Sequence, residues 1–419
     1  MNQPSGRLAR RLTTVDAVVI GLGAMIGAGV FAAPGPAAAA AGTWLLVGLA
    51  LAAVVAYANA TSSAQLAALY PEAGGTYVYA RRRLGGYWGF LAGWSFVVGK
   101  TASLAAMALT FGAYLSAELA RPLGIGAVVL MAVVNYLGVQ KTARLTRVIV
   151  ALVLAALAVV VTAALLGGEA STANLTVVLP TGPWGVLQAG GLLFFAFAGY
   201  ARLATLGEEV VDPTTTIPRA IPIALGIVVA VYAIVLTSVL LAIGPQQLAA
   251  SSAPLADAVA AGRWSALTPV VRAGAAIAAG GVLLSLLAGI SRTALSMARR
   301  RELPGYLDAV HPRHHTPHRA EAAAAVVVSA IVLVADLRGA IGFSSFAVLT
   351  YYALTNASAW RLTDAERRWP RWLAGLGVGL CLLLAFTLPV VAVLGGAALL
   401  ASGSLVWLVT RRARRHAGG

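Results

Sequence analysis

Between Asp16 and Glu72 the chain runs for 55 residues without an Asp, Glu, Lys or Arg. The hydrocarbon core of a bilayer takes roughly 20 consecutive apolar residues per helix, so this stretch has room for two crossings. The remainder follows the same pattern. Of 419 residues, 60% are hydrophobic and 11% charged, with a mean hydropathy of +0.86, whereas soluble globular chains are about 25% charged. That balance excludes a disordered chain and argues against an ordinary soluble enzyme. The 45 glycines fit a polytopic all-α membrane protein, because small residues let membrane helices approach closely.

The formal net charge of +16 invites a nucleic-acid reading. The basic residues, however, sit between apolar segments: Arg7, Arg10 and Arg11; Arg81–Arg83; Lys141, Arg144 and Arg147; Arg299–Arg301; Arg367, Arg368 and Arg371; Arg411, Arg412, Arg414 and Arg415. The alternate connections carry only Arg121, Arg263, Arg272 and Arg338. That asymmetry is the positive-inside pattern. It predicts a multi-pass protein of the cell membrane with both termini cytoplasmic and no nucleic-acid partner. The N-terminal arginines precede an apolar run too long for a signal peptide. Cys381 is the single cysteine and lies in an apolar run, so neither an intramolecular disulfide nor a cysteine metal site is expected.

Charges and turn residues predict about twelve spans, at about 15–41, 43–69, 86–117, 123–140, 146–167, 183–210, 217–243, 268–298, 319–336, 339–359, 372–388 and 390–410. Two of them are irregular in the same way. The first contains Gly21, Gly23, Gly27 and Gly29, then Pro34-Gly35-Pro36; the sixth contains Gly190-Gly191 and Gly199. Glycine disfavours a continuous helix by about 1 kcal/mol relative to Ala, so both spans are expected to break. Irregular backbone at membrane depth is tolerated where it lines a cavity or is covered by protein. Glycine-broken segments in corresponding places of two halves point to an inverted-repeat transporter and its binding site. The five-span offset gives the halves opposite orientation.

Several stretches resemble the amino acid–polyamine–organocation (APC) superfamily, most closely its cationic-amino-acid-transporter-like branch. They are Gly21-Leu22-Gly23-Ala24-Met25-Ile26-Gly27-Ala28-Gly29-Val30-Phe31, Pro71-Glu72-Ala73-Gly74-Gly75-Thr76-Tyr77, Phe194-Phe195-Ala196-Phe197 through Gly207-Glu208-Glu209 to Ile217-Pro218-Arg219-Ala220, and Ser291-Arg292-Thr293 through Met297-Ala298-Arg299 to Thr316-Pro317. The resemblance implies a LeuT-type fold, with ten core helices in two inverted five-helix repeats, discontinuous helices 1 and 6, and two peripheral helices. On this reading a cytoplasmic tail occupies 1–14, the first repeat 15–167, the second 183–359, helices 11 and 12 residues 372–410, and a basic tail 411–419. It also implies secondary transport of an amino acid or related amine. The chain departs from the branch in two places. Ala201, followed by Arg202, stands where an Asp is common, and Arg300-Arg301 stands where Asp-Gly is usual.

A broken helix suits a zwitterion. It exposes N–H groups at the start of one half and C=O groups at the end of the other, and the half-helix dipoles favour an anion at the former and a cation at the latter. Gly27, Ala28 and Gly29 are the candidates for the carboxylate, and the carbonyls around Met25, Ile26, Phe195 and Ala196 for the ammonium. Phe197, Ala198 and Gly199 complete the candidate substrate-binding set. Phe195, Phe197 and Tyr200 are candidates to wall or gate the side chain; packing alone is the competing explanation. The Gly21-x-Gly23 motif is not a dinucleotide fingerprint, since no acid follows before Glu72.

A Lys or Arg at the centre of a span costs on the order of 2.5–3.5 kcal/mol and should face a cavity or a partner. Lys100 lies midway along span three without a local acid, and is expected either to place a fixed or titrating positive charge near the site or to bond the carbonyls of a broken helix. Arg202 is expected to pair with Glu208 or Glu209, and that carboxylate pair is alternatively a gate or proton relay. Arg292 is expected to snorkel. No Asp or Glu lies near the centre of a span, which favours neutral amino acids over polyamines. His311, His314, His315 and His318 share a loop that is expected to be solvated rather than metal-binding. The expected function is secondary active transport by alternating access, with H+ as the coupling ion, Na+ as the alternative, and no organic cofactor or metal. A monomer suffices. Rivals are an amino acid/amine exchanger or exporter, a membrane-embedded enzyme, for which no catalytic constellation is found, and a non-transporting receptor.

Overall fold

The computed structural model describes residues 12–416, leaving aside 28, 71–73, 139–142, 177–181, 201–202 and 204–209. Among the described residues all regular structure is helical, apart from one parallel bridge between Leu12 and Val210. The first span is divided into α1 (Thr14–Met25), α2 (Gly29–Ala32) and α3 (Pro34–Ala41); α4 (Leu45–Leu69) follows. A short α5 (Thr76–Arg83) leads into α6 (Gly86–Leu115), α7 (Ala120–Tyr136) and α8 (Ala143–Leu166). After the four-residue α9 (Ala173–Thr176) come α10 (Gly182–Phe197), with a 3-10 turn at Ala198–Tyr200, and α11 (Pro213–Ala250). The chain then forms α12 (Pro254–Ala260), α13 (Thr268–Arg299), α14 (His318–Val334), α15 (Leu337–Trp360), α16 (Arg371–Thr387) and α17 (Val390–His416).

Local chemistry sets several of these limits. Thr13 opens α1 with a reciprocal cap: its hydroxyl accepts from the Asp16 N–H, while the Asp16 carboxylate accepts from the Thr13 N–H at 3.0 Å. Pro34 and Pro36 lack N–H groups, so the helix that resumes at Gly29 is pinched at Ala33. α11 is kinked at Gly244, whose φ of 69° precedes Pro245. The last two helices part at Leu388-Pro389, and Pro389 O accepts from the Ala392 N–H at 2.8 Å.

Among the described residues, seven helical stretches are long and apolar enough to cross a bilayer by length and composition; Ala120–Tyr136 and Arg371–Thr387 are apolar but shorter. The twelve-segment expectation rested on charge-free length, and α15 shows why a hydropathy criterion is stricter. Ser344, Ser345, Tyr352, Thr355 and Asn356 give that helix a polar face, and all are buried against protein. The outer surface is the reverse. Val334 is 83% exposed, Val391 80% and Val390 72%, a surface that suits lipid and not water.

Helix pairing has an internal regularity. α1 packs on α11 as α10 packs on α4; α6 packs on α7 as α13 packs on α14; α6 packs on α15 as α13 packs on α8. In span order, each second pair is the first with every member replaced by the span five positions away, so that the first five spans and the next five exchange places.

Candidate functional site

α1 ends at Met25, where the Ile26 N–H closes the last turn onto Leu22 O at 2.7 Å. α10 ends at Phe197 and tightens into the 3-10 turn. The end of α10 and the break of the first span interlock through their glycines. A methyl group on Gly29 would lie 2.7 Å from Ala196 Cα, and one on Gly199 would run into the backbone of Ala24. Glycine is what lets each broken segment touch the other's main chain.

Tyrosines from other helices meet carbonyls at these breaks. The Tyr232 hydroxyl on α11 donates toward both Met25 O and Ala196 O, the latter at 3.0 Å, so one proton spans the two interruptions. Tyr352 Oη on α15 donates to Ala198 O at 3.3 Å. Tyr114 Oη on α6 donates to Phe31 O at 3.1 Å and accepts from the Leu255 N–H of α12 at 3.3 Å.

Between the breaks lies a cavity of about 50 Å³, space for a few waters. Of the residues expected at the site, Met25, Gly27, Gly29, Phe195, Ala196, Ala198, Gly199 and Lys100 border it. Ile26 is buried beside them. Phe197 is turned against Tyr232, with ring centroids 5.1 Å apart, and Tyr200 against Tyr352 at 4.8 Å. These two aromatics do not border the cavity; each packs on a tyrosine whose hydroxyl bonds a carbonyl of a residue that does. Ala28, Arg202, Glu208 and Glu209 lie outside the described residues.

Lys100 is buried and its Nζ is 3.5 Å from Ala198 O. It thus lies on the cavity and within reach of a carbonyl of the sixth span, compatible with both of its expected roles, and it is the one charged side chain among the described lining residues. The sequence reading missed Ala24, Ser103, Met107, Val282 and Leu286. Ser103 and Met107 were within reach of it, since they follow Lys100 at three and seven residues and fall on the same helical face. Val282 and Leu286 come from α13, and no local signal marks an apolar residue on one apolar helix as facing another.

The ends of the bundle are tied by polar contacts. At the arginine-rich end, Arg147 on α8 pairs with Asp16, and the Val211 N–H donates to Leu12 O at 2.9 Å. Buried Glu302 accepts from Tyr77 Oη at 2.7 Å and pairs with Arg81. The Arg83 guanidinium beside Glu366 holds that carboxyl down at about 2. Arg292 is exposed, in keeping with a snorkelling residue. His311 and His314 lie against Tyr136, His318 lies against His311, and His311 Nδ1 accepts from the N–H groups of Arg313 and His314. Partial burial, with His314, His318, Arg313 and His315 nearby, keeps the His311 imidazole below the usual histidine value. Among the described residues no three His, Cys, Asp or Glu side chains are arranged to hold a metal ion.

The chain matches the amino acid permease family over residues 12–410. It is 57% identical to an uncharacterized transporter of Mycobacterium tuberculosis, over 98% of this chain and 94% of that one. It is 26% identical to the branched-chain amino acid permease BcaP of Bacillus subtilis, over 74% of this chain and 72% of the permease. It is also 26% identical to the methylthioribose transporter of the same organism, over 97% and 95% of the two chains. An all-helical, multi-pass membrane protein with its first span broken, a cavity at the break and transporters for relatives, the chain belongs to the amino acid permease family of transporters.

Proposed function

We propose that this amino acid transporter moves small neutral amino acids across the cell membrane by alternating access, with proton coupling. The observation that carries the reading is the cavity itself. It is bordered by the ends of two broken helices and by one cation, Lys100, and among the described lining residues it offers no carboxylate. An α-amino acid presents its carboxylate to N–H groups at the start of α2 and its ammonium to the carbonyls of Met25 and Ala196, helped by the half-helix dipoles. A carbonyl has two lone pairs, so the shared Tyr232 proton leaves acceptor capacity at both. A substrate with a second positive charge would meet Lys100.

The relatives' names bracket this choice. BcaP is named for branched-chain amino acids, the methylthioribose transporter for methylthioribose, and 27%-identical Cationic amino acid transporter 4 of Homo sapiens for cationic amino acids. Lys100 argues for the neutral side. Its burial against Ala198 O rather than against a carboxylate makes it a candidate proton carrier.

The five-span regularity in helix pairing supports two inverted repeats, α1–α8 and α10–α15, with α16 and α17 added outside. Alternating access then amounts to a rocking of one set of helices against the other around the breaks. The ties at Asp16–Arg147 and Tyr114–Leu255 are the contacts such a motion has to release at opposite ends. Arginine clustering supports a cytoplasmic location for the Asp16 end and for both termini.

The test is counterflow in proteoliposomes with a panel of labelled amino acids. Exchange of small neutral substrates that arginine and putrescine do not inhibit is the expected result. Strong inhibition by either cation at low concentration would overturn the neutral assignment.

A further inference from the structure

α16 is the first helix beyond the ten that enclose the breaks, and its interior is apolar or glycine from Trp372 to Phe386 with one exception, Cys381. That thiol is fully buried and donates to Asn59 Oδ1 of α4 at 3.2 Å. The same oxygen accepts from Asn356 Nδ2 of α15 at 2.5 Å. Asn356 Nδ2 also reaches back one turn to Tyr352 O at 2.9 Å, and Tyr352 Oη is the donor to Ala198 O in the break of the sixth span. Asn59, Asn356 and Cys381 are each 0% exposed.

Two carboxamides and a thiol in one dry contact are costly to place, and here Asn59 Oδ1 takes both the Cys381 and the Asn356 donor while Asn59 Nδ2 and Asn356 Oδ1 have no partner among the described residues, so the shared oxygen ties the three side chains' positions together. Two further features press on the same spot. A methyl group on Gly377 of α16 would lie 2.5 Å from Asn356 Oδ1, so α16 lies directly against the carboxamide. The ring of Tyr200, the last residue of the 3-10 turn, lies on that of Tyr352 at 4.8 Å, with the planes 33° apart. The chain of contact is continuous from α16 through the amide pair to Tyr352, and from Tyr352 to both the Ala198 carbonyl and the turn that carries it.

We propose that Cys381, Asn59 and Asn356 are positioning residues that hold the Tyr352 hydroxyl on the Ala198 carbonyl, so that α16, outside the ten-helix core, helps to set substrate affinity. The inference rests on the reading of the Ala196–Gly199 break as part of the substrate site. Tyr352 and Lys100 bear on Ala198 O from two helices. Loosening one of them lets the carbonyl turn, and the loss falls on binding rather than on the rate of helix rocking.

The experiment is a double-mutant cycle on the full chain in proteoliposomes, reading KM and maximal rate separately, with substrate-induced thermal stabilisation in detergent as a readout independent of transport. Cys381→Ala removes the donor and is expected to raise KM about fivefold, the worth of a modest buried hydrogen bond, while leaving maximal rate within about twofold. Cys381→Ser restores a donor and should return KM to within about twofold of the starting protein. Tyr352→Phe should raise KM by itself, and adding Cys381→Ala to it should change KM no further, because the thiol acts through the hydroxyl. Gly377→Ala, which pushes on Asn356 without touching the thiol, should also raise KM. Multiplying effects of Cys381→Ala and Tyr352→Phe, or a Cys381→Ala protein with unaltered KM and unaltered substrate stabilisation, would overturn the proposal. A starting protein that exchanges no amino acid would instead overturn the reading of the site on which it rests.

Discussion

Tyr232→Phe isolates the atom that joins the two breaks. The ring stays to pack against Phe197, and only the hydroxyl that serves Met25 O and Ala196 O is lost. Both carbonyls belong to buried residues at helix interruptions, where no N–H of a following turn replaces the missing donor. Leaving a buried acceptor unsatisfied costs about 1–3 kcal/mol. Because one proton serves both carbonyls, the loss is that of one strong bond rather than two. At about 1.4 kcal/mol per factor of ten, the range corresponds to roughly a fivefold to 150-fold weakening of any equilibrium that needs the breaks in this geometry. Substrate binding is such an equilibrium. The assay is uptake and counterflow in proteoliposomes at matched protein density, with KM and maximal rate separated, and melting in detergent with and without substrate. The expected outcome is a KM raised by at least fivefold and a smaller thermal shift on adding substrate. A phenylalanine protein with KM within twofold and an unaltered shift would refute the claim that this hydroxyl organises the site.

Other outcomes follow from single positions. Gly199→Ala forces a methyl group against the Ala24 backbone, an overpacking of about 1–3 kcal/mol that no rotamer relieves; transport should fall by more than about tenfold in a protein that still inserts and purifies. Lys100→Met should remove the dependence of uptake on an inward proton gradient, measured with and without a pH step, and retained dependence removes Lys100 from coupling. Arg301 adopts a left-handed φ of 56°, which costs a non-glycine residue about 1–2 kcal/mol, so Arg301→Gly should raise the melting temperature. His311 is stabilised as the neutral ring, its value lying below the ordinary 6.5. Its contribution to the loop is complete above pH 6.5 and is lost as the pH falls through the lowered value, so exchange of the Arg313 and His314 amides, corrected for intrinsic rate, should quicken at pH 5 and become pH-insensitive in His311→Ala.

The fold was largely legible because lipid enforces it. A chain that cannot hydrogen-bond to its surroundings must close its backbone bonds internally, so charge-free length maps onto helix limits within a few residues: 86–117 against Gly86–Leu115, and 268–298 against Thr268–Arg299. The departures have local causes. The seventh span, expected at 217–243, runs Pro213–Ala250 because Pro213 serves as its first helical residue and the kink at Gly244 does not end it. Arg300-Arg301, where the resembled branch has Asp-Gly, keeps the left-handed turn at Arg301 without the residue that suits it. The glycine runs showed where the helices break, since glycine both weakens a helix and admits another backbone. What a local pattern does not carry is the partner: Tyr232 lies 207 residues from Met25 and Tyr352 lies 154 from Ala198, and a tyrosine in an apolar helix looks the same whether its hydroxyl reaches a break or the headgroups.

Those tyrosines bear on how a broken helix works as a binding site. An interrupted helix offers carbonyls to a substrate ammonium only if they are neither orphaned nor fully spent in the empty site. Serine or threonine on a neighbouring helix tends to spend its donor on its own backbone, as Ser103, Thr110 and Ser285 do here by bonding the carbonyl four residues back. Tyrosine is too long for that, and across the 8–10 Å between packed helix axes its single donor reaches the neighbour. α6, α11 and α15 each supply one, to Phe31, to Met25 with Ala196, and to Ala198. A carbonyl accepting one hydrogen bond keeps a second lone pair. At Ala198 the second lone pair is taken by Lys100, whereas Met25 and Ala196 are held at half occupancy: stable enough to persist in a dry interior, and still able to take the ammonium without first giving up a bond.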